Sequence, residues 1–251
     1  MNTIDRVAVC SRSFSKNALL RNELLARYRH VTFNDDGRQL EGDDLVYFLK
    51  GHSKAIIALE KITHAVLSKL PELEVIGKYG VGLDMINMEA MRQHGKRIGW
   101  TGGVNRRSVS EMVIALTVTM LRHLPIARNE VLQGTWRQHI GGLLSGRTVG
   151  IIGCGHIGKD LATLLQPWGC TLLAHDILNF PEFYAANKIE AVSLSTLLRR
   201  SDVVTLHIPL NGTTRNMLST KRLRIMKPGA ILINIARGGL VDEVEVKEML
   251  K

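Results

Sequence analysis

The chain has 251 residues, of which 45% are hydrophobic and 22% charged, with 23 Gly and 6 Pro. This composition excludes a disordered or fibrous protein and is typical of a packed soluble protein with one large core or two smaller ones. The longest mostly apolar stretch, residues 112–120 with its flanks, is shorter than the roughly 20 residues that cross a bilayer, so we expect no membrane span. No secretory signal is visible, and Cys10, Cys154 and Cys170 lack disulfide or zinc spacing, which predicts a cytoplasmic protein without a metal site.

The formal net charge is +10, which raises nucleic acid and acidic small molecules as partners. Residues 1–103 carry 15 Lys and Arg against 12 Asp and Glu, and residues 104–251 carry 18 against 11. The positive excess is therefore spread along the chain, with only short basic pairs. This distribution disfavours nucleic-acid binding and leaves a small acidic ligand open.

Short β-branched runs alternate with helix-spaced apolar positions along the whole chain. In the first half the predicted strands are residues 6–10, 31–33, 55–59, 74–77 and 97–100, and the predicted helices are 17–28, 43–49, 64–70 and 88–94. In the second half the strands are 148–152, 171–174, 203–206 and 230–233, and the helices are 108–121, 156–168, 195–200, 221–226 and 242–250. Repeated β-α units predict an α/β fold with parallel sheets covered by helices.

Gly102 and Gly103 interrupt the pattern directly before the long apolar helix 108–121. Two consecutive glycines suit a hinge, which predicts two domains, residues 1–103 and residues 104–251, each a Rossmann-like or flavodoxin-like parallel sheet. An ordinary turn within one domain is the alternative.

The most informative motif is Gly153-Cys154-Gly155-His156-Ile157-Gly158, which matches G-x-G-x-x-G between a predicted strand and a predicted helix. In this pattern the first glycine allows a tight turn, the second lets the backbone approach a pyrophosphate, and the third lets the helix lie close to the strand. The start of the helix offers free N–H groups to the phosphates. A doubly wound dinucleotide-binding domain is predicted, and a glycine turn without a ligand is the alternative.

Asp176 ends the next apolar strand, 23 positions after Gly153. An acidic residue there can accept both ribose hydroxyls at the adenosine end of the cofactor. Its charge would repel a 2′-phosphate, and neither Ile177 nor Leu178 supplies a compensating Arg. The sequence therefore predicts NAD as the cofactor.

Further motifs resemble the D-isomer specific 2-hydroxyacid dehydrogenase family. In the second half they are the segments 206–210 (LHIPL) with Thr213-Thr214, 226–230 (MKPGA) and 234–243 (NIARGGLVDE). In the first half they are the glycine loop 78–87 (KYGVGLDMIN), the helix start at Asn105 and 108–111 (SVSE), and 60–63 (EKIT), which is similar to the phosphoglycerate dehydrogenase-like branch. The resemblance covers residues 55–251 firmly and the preceding strands loosely.

The resemblance implies a substrate held between two domains, residues 1–103 as the substrate domain and residues 104–251 as the NAD-binding domain. It places the substrate carboxylate on Arg237 and on backbone amides of Val81 and Gly82. A salt bridge from Arg237 to Asp242 or Glu243 is the alternative. Around the cofactor, the resemblance implies pyrophosphate amides from His156 and Ile157, backbone near the nicotinamide from Ile235 and Ala236, and a lining role for His207, with no acid or base work assigned to it.

The expected reaction is hydride transfer between NAD(H) and a 2-hydroxy or 2-keto acid, including a phosphorylated acid of the 3-phosphoglycerate kind. In the resembled family a histidine braced by a glutamate moves the proton, and both lie beyond the motif that resembles residues 241–243. We therefore expect a family member shortened at its C-terminus, whose NAD-binding domain lacks its last strands and which turns over keto acids poorly. A catalytically inactive NAD-binding protein is the alternative.

The helix 108–121 is a candidate dimer helix, which predicts a homodimer. Its broad apolar stripe consists of Met112, Ala115, Leu116, Thr119 and Met120. Burial of this stripe within the chain is an equally good interpretation of the pattern.

Overall fold

The computed structural model describes residues 2–251, and the chain divides into two compact units between Val104 and Asn105. The boundary predicted from the sequence lies one residue earlier. No single helix within residues 2–251 has the length and apolar character needed to cross a bilayer; one pair meets that test in combination, Arg106–Leu121 with Leu124–Leu132, and it is bent by 62°.

The first unit is a five-stranded parallel sheet with helices. Its strands are β1 Asn2–Val9, β2 Tyr28–Phe33, β3 Lys54–Ile57, β4 Val75–Lys78 and β5 Arg97–Gly99. Its helices are α1 Arg12–Lys16, α2 Ala18–Arg27, α3 Gly42–Leu49, α4 His64–Leu67 and α5 Met88–Gln93. The strand order β2-β1-β3-β4-β5 is that of flavodoxin-like folds. Its core is aliphatic, with fully buried leucines and isoleucines from the strands and from α3 and α4.

The second unit contains a second five-stranded parallel sheet. Its strands are β6 Thr148–Ile152, β7 Thr171–His175, β8 Ile189–Ala191, β9 Val203–Leu206 and β10 Ile231–Asn234. Its helices are α6 Arg106–Leu121, α7 Leu124–Leu132, α8 His156–Leu165, α9 Pro181–Ala186, α10 Leu194–Arg200, α11 Thr220–Leu223 and α12 Glu243–Met249, with a 3-10 turn at Gln166–Trp168.

The order of the second sheet is β10-β9-β6-β7-β8. Renumbered within this unit it is the Rossmann order, in which the chain reverses direction across the sheet at β6 and β9. Two buried clusters pack against the sheet, one containing Leu161 and Leu165 of α8 and the other Leu197 and Leu198 of α10. The predicted α/β fold class with two parallel-sheet domains is confirmed.

Several predicted elements differ from the structure. The helix predicted at 17–28 is α2, Ala18–Arg27: Asn17 caps it by accepting the Leu20 N–H (3.1 Å), and Tyr28 begins β2. The helix predicted at 221–226 is a single turn, α11. Four elements were not predicted, namely α1, α7, α9 and β8.

Candidate dinucleotide-binding site

Gly153 makes the turn that leaves β6, with φ at +93°, a conformation that L side chains rarely adopt. A Cβ at this position would lie 2.6 Å from the His207 carbonyl oxygen and 2.6 Å from Ile208 Cγ2. The backbone after β9 therefore approaches the Gly153 turn so closely that only glycine fits.

Gly158, in the first part of α8, allows that helix to lie against the same turn. A Cβ there would lie 2.3 Å from the Gly153 carbonyl oxygen and 3.0 Å from Ile151 Cγ2. The third glycine of the motif thus performs the packing role that the spacing predicts.

Gly155, the N-cap residue of α8, is in a different environment. Its φ of −76° is open to any residue, and a Cβ built on it meets no atom within 4 Å. Fold and packing therefore do not demand glycine here. The open space in front of Gly155 is what a pyrophosphate needs if it is to contact the backbone, so this turn fits a dinucleotide.

Helix α8 presents its N-terminus beside Gly155. His156 is exposed and Ile157 half-buried, and the first turn carries no acidic residue that would oppose an anion. On its other side α8 packs against α6, where the fully buried Ser110 hydroxyl contacts the Ile157 carbonyl oxygen at 3.4 Å. These contacts hold the free N–H groups of the first turn in place.

Asp176 follows β7, and its carboxylate joins the glycine turn. The Cys154 N–H donates to one carboxylate oxygen at 2.6 Å, and the Leu178 N–H donates to the other at 2.8 Å. A carboxylate has about four acceptor positions, so each oxygen retains capacity for a further hydrogen bond. The half-buried side chain can therefore accept ribose hydroxyls while it braces the turn.

His207 follows β9 and is held mostly out of solvent. Its Nε2 lies 3.1 Å from Thr205 Oγ1, whereas its buried Nδ1 has no hydrogen-bond partner within the described residues. Burial lowers the pKa of His207 to about 4, so the ring is neutral at pH 7. A neutral imidazole with a vacant nitrogen suits a contact to a polar ligand better than it suits the donation of a proton.

Arg237 lies in the loop that follows β10, together with Ile235 and Ala236. The Asn234 side chain fixes this loop: its amide donates to the Arg237 carbonyl oxygen at 2.8 Å, and its oxygen accepts the Ala236 N–H at 3.2 Å. The Arg237 guanidinium is half-buried and donates to the Ala236 carbonyl oxygen at 2.8 Å.

The two acidic residues considered as partners of Arg237 form hydrogen bonds with other groups at the start of α12. Asp242 accepts from the Thr220 hydroxyl at 3.0 Å and caps α12 by accepting the Glu245 N–H at 3.2 Å. Glu243 accepts the Gly239 N–H at 3.3 Å.

The predicted cofactor residues meet at one end of the second sheet. Gly153, Asp176, His207 and Ile235 follow β6, β7, β9 and β10, whose carboxyl ends lie side by side in parallel register. This edge, at the reversal of strand order, is where ligands bind in doubly wound folds. Val81 and Gly82 belong to the first unit, in the loop after β4, where the Trp100 indole donates to the Val81 carbonyl oxygen at 2.9 Å.

Sequence reasoning missed the supporting residues of this site. Thr205, fully buried in β9, positions His207, and Tyr184 of α9 packs beside the motif residue Cys154. Burial raises the pKa of the Cys154 thiol to about 11 and that of the Tyr184 phenol to about 12, so neither is a nucleophile at neutral pH. The visible signal was a threonine inside the apolar run 203–206, two residues before a histidine.

Comparison with known proteins agrees with this geometry. Residues 114–251 match the family model of the D-isomer specific 2-hydroxyacid dehydrogenase NAD-binding domain. The chain belongs to the D-isomer specific 2-hydroxyacid dehydrogenase family. The matched model is an NAD-binding domain, which agrees with the predicted cofactor.

Curated relatives include the D-3-phosphoglycerate dehydrogenase of Methanocaldococcus jannaschii, 34% identical over 76% of this chain and 37% of the relative. The hydroxypyruvate reductase of Thermotoga maritima is 31% identical over 83% of this chain and 68% of the relative. The chain spans less than half the length of the phosphoglycerate dehydrogenases that it matches.

Solved structures of this family share the fold. The D-lactate dehydrogenase of Aquifex aeolicus, complexed with NAD and lactic acid, has a TM-score of 0.81 at 25% identity, covering 99% of this chain and 73% of that one. The pyruvate reductase of Chlamydomonas reinhardtii has a TM-score of 0.82 at 28% identity, covering 98% and 73%.

Proposed function

We propose that this protein is an NAD-dependent oxidoreductase that transfers hydride between NAD(H) and a small 2-hydroxy or 2-keto acid. The observation that carries the proposal is the glycine turn, in which Gly153 and Gly158 are needed for packing while Gly155 faces open space beside Asp176. NAD, when bound, supplies the hydride acceptor or donor. The chain's own residues hold the cofactor and orient the acid.

In this proposal the cofactor is NAD(H) rather than NADP(H), because the Asp176 carboxylate would face a 2′-phosphate. The test is fluorescence titration of the purified chain with NADH and with NADPH. Asp176→Asn keeps a hydrogen-bond acceptor for the Cys154 N–H but removes the charge, so it should reduce the preference for NADH. Glu182→Ala, which removes an exposed charge on α9, is the control. Equal affinity of the unaltered chain for both cofactors would contradict the assignment.

Arg237 is proposed to bind the substrate carboxylate, because a guanidinium matches a planar carboxylate with two parallel hydrogen bonds. The placement of this half-buried side chain after β10 supports the assignment. The backbone contacts from Val81 and Gly82 to the substrate carboxylate remain a prediction.

The substrate assignment is tested with pyruvate, hydroxypyruvate and phosphohydroxypyruvate, following consumption of NADH and, separately, binding of each acid to the NADH complex. Arg237→Lys keeps the positive charge but cannot form two parallel hydrogen bonds to a carboxylate. It should therefore weaken acid binding while NADH binding is retained. Arg199→Ala on α10 is the control. Binding of the acids unaffected by Arg237→Lys would exclude Arg237 from the site, and NADH binding without any acid binding would favour an NAD-binding protein that is not an enzyme.

A homodimer through α6 and α7 is also proposed. Met112 and Met120 of α6 are half exposed, and Leu124, Val131 and Leu132 of α7 line an apolar groove of about 620 Å³. Such a contiguous apolar surface is typical of a protein interface. Light scattering should show a dimer that Leu132→Asp dissociates, whereas Leu19→Asp, at an exposed leucine of α2, leaves it intact.

The compartment proposed for the chain is the cytoplasm. The free cysteines Cys10, Cys154 and Cys170 suit its reducing environment.

A further inference from the structure

Two histidines far apart in the sequence meet on the surface of the first unit. His64 is the first residue of α4, and His94 is the C-cap of α5. Nε2 of His94 lies 3.2 Å from Nδ1 of His64, and the ring centroids are 4.7 Å apart with the planes tilted by 50°. His64 is exposed and His94 half-buried, so solvent ions reach the pair.

The backbone holds both rings in this relation. Ile62 and Ile86, both buried, form an isolated parallel bridge, with the Ile62 N–H donating to the Met85 carbonyl oxygen at 2.8 Å and the Asn87 N–H donating to Ile62 at 2.9 Å. Asn87 in turn caps α5. The segments that carry the two histidines are therefore tied together two residues before His64 and at the start of α5.

Caps at the helix ends further restrict the backbone positions of the two histidines. Thr63 caps α4 by accepting the Val66 N–H at 3.3 Å. His94 donates its N–H to the Ala90 carbonyl oxygen at 3.0 Å, and Gly95 follows in a left-handed conformation at φ +62°. Each histidine therefore lies at a capped end of a helix. The backbone already holds the two rings next to each other.

We propose that His64 and His94 together bind a borderline divalent transition-metal ion of the Zn²⁺ class. Two nitrogens bound to one tetrahedral Zn²⁺ at about 2.0–2.1 Å lie about 3.3 Å apart, close to the separation already present. In the observed pair, one ring donates its proton to the other. When the ion enters, that proton moves to the other nitrogen of its own ring, so that two neutral imidazole nitrogens face the metal.

Water completes the coordination, since residues 2–251 contain no group of three or more His, Cys, Asp or Glu side chains able to hold a metal. The bound ion clips α4 to α5 and so stabilises the first unit. Spacing in the sequence could not indicate the site, because 30 residues separate its ligands.

The test is titration of the tag-free full chain with Zn²⁺ by calorimetry, with Co²⁺ absorption and the nitrogen hyperfine pattern of Cu²⁺ as independent readouts. We expect one site, two coordinating nitrogens, and a melting temperature that rises with Zn²⁺ and falls back on chelation. His64→Ala and His94→Asn should each weaken Zn²⁺ binding by more than about tenfold, since loss of even a second-shell partner costs 10- to 100-fold.

His30→Ala, which removes an exposed histidine from β2 of the same unit, is the matched control and should leave binding unchanged. His64 is exposed at a helix start, so its substitution preserves the fold even if His94→Asn does not. Zn²⁺ binding equally weakened by His30→Ala and His64→Ala, or a Cu²⁺ spectrum with a single nitrogen, would overturn the proposal.

Discussion

Three glycines of one motif have different physical duties, and this separation can be measured. Gly153 and Gly158 have no room for a Cβ, whereas Gly155 has. The spacing G-x-G-x-x-G predicts this division of roles, but it does not reveal which atoms exclude a Cβ: the loop after β9 at Gly153, and the Gly153 carbonyl at Gly158.

We expect Gly155→Ala to fold as well as the unaltered chain and to lose NADH affinity by at least about tenfold, because the new methyl group occupies the approach of the pyrophosphate. Gly153→Ala should instead destabilise the fold by about 1–3 kcal/mol through its positive φ, and the close His207 carbonyl adds to that strain. Denaturant unfolding and NADH titration of both variants separate the two effects. Unchanged NADH affinity in Gly155→Ala would place the pyrophosphate elsewhere.

His207 should make stability depend on pH. Burial lowers its pKa from 6.5 to about 4 in the folded chain, so between these values the unfolded chain binds a proton that the folded chain does not. The contribution of neutral His207 to the free energy of unfolding is fully present above pH 6.5. It is lost as the pH falls towards 4, by as much as about 3 kcal/mol. His207→Gln should therefore flatten the pH dependence of unfolding over that interval. His52, whose pKa burial also lowers, titrates in the same direction and serves as the comparison.

At the scale of secondary-structure elements, the sequence predicted the buried strands well. The elements that it missed have physical explanations. β6 and β9 are buried on both faces, so each is a continuous apolar run whose bounds were predicted without error. β8 is a three-residue edge strand containing the exposed Glu190, which leaves no such run. In α7 the large apolar side chains face outward, so its periodicity does not indicate a core.

A charge pair joins α6 and α8. Arg107 binds Asp160 through two hydrogen bonds, Nε to Oδ2 at 3.1 Å and Nη2 to Oδ1 at 3.0 Å. The Asp160 side chain is only 11% exposed, but the Arg107 side chain is 56% exposed and screened by solvent. We expect Arg107→Ala to destabilise the fold by about 1 kcal/mol. A double-mutant cycle with Asp160→Asn measures the coupling, and zero coupling energy would show that the pair contributes nothing.

At the scale of the whole chain, the sequence revealed a binding fold more readily than its detailed chemistry. The glycine spacing, Asp176 and the parallel-sheet pattern are local signals that one unit contains in full. The hydrogen bond from the Cys154 N–H to Asp176 and the vacant Nδ1 of His207 arise only when β6, β7 and β9 lie side by side. Their geometry could not be read from separate segments.

Cofactor binding should therefore stabilise the folded chain in a way that depends on each part of this assembly. A ligand that binds only the folded state at 100 times its dissociation constant adds about 2.7 kcal/mol of stability. For a chain of this size, that gain corresponds to a melting temperature higher by about 5–10 °C.

We expect NADH to raise the melting temperature of the second unit by this amount. The melting temperature should continue to rise with the logarithm of NADH concentration beyond saturation. NADPH should produce a smaller shift, and Gly155→Ala should reduce the NADH shift by about half or more while leaving the melting temperature of the ligand-free chain unchanged. A melting temperature independent of NADH, in a chain whose unfolding is cooperative, would contradict the cofactor site at the ends of β6 and β7.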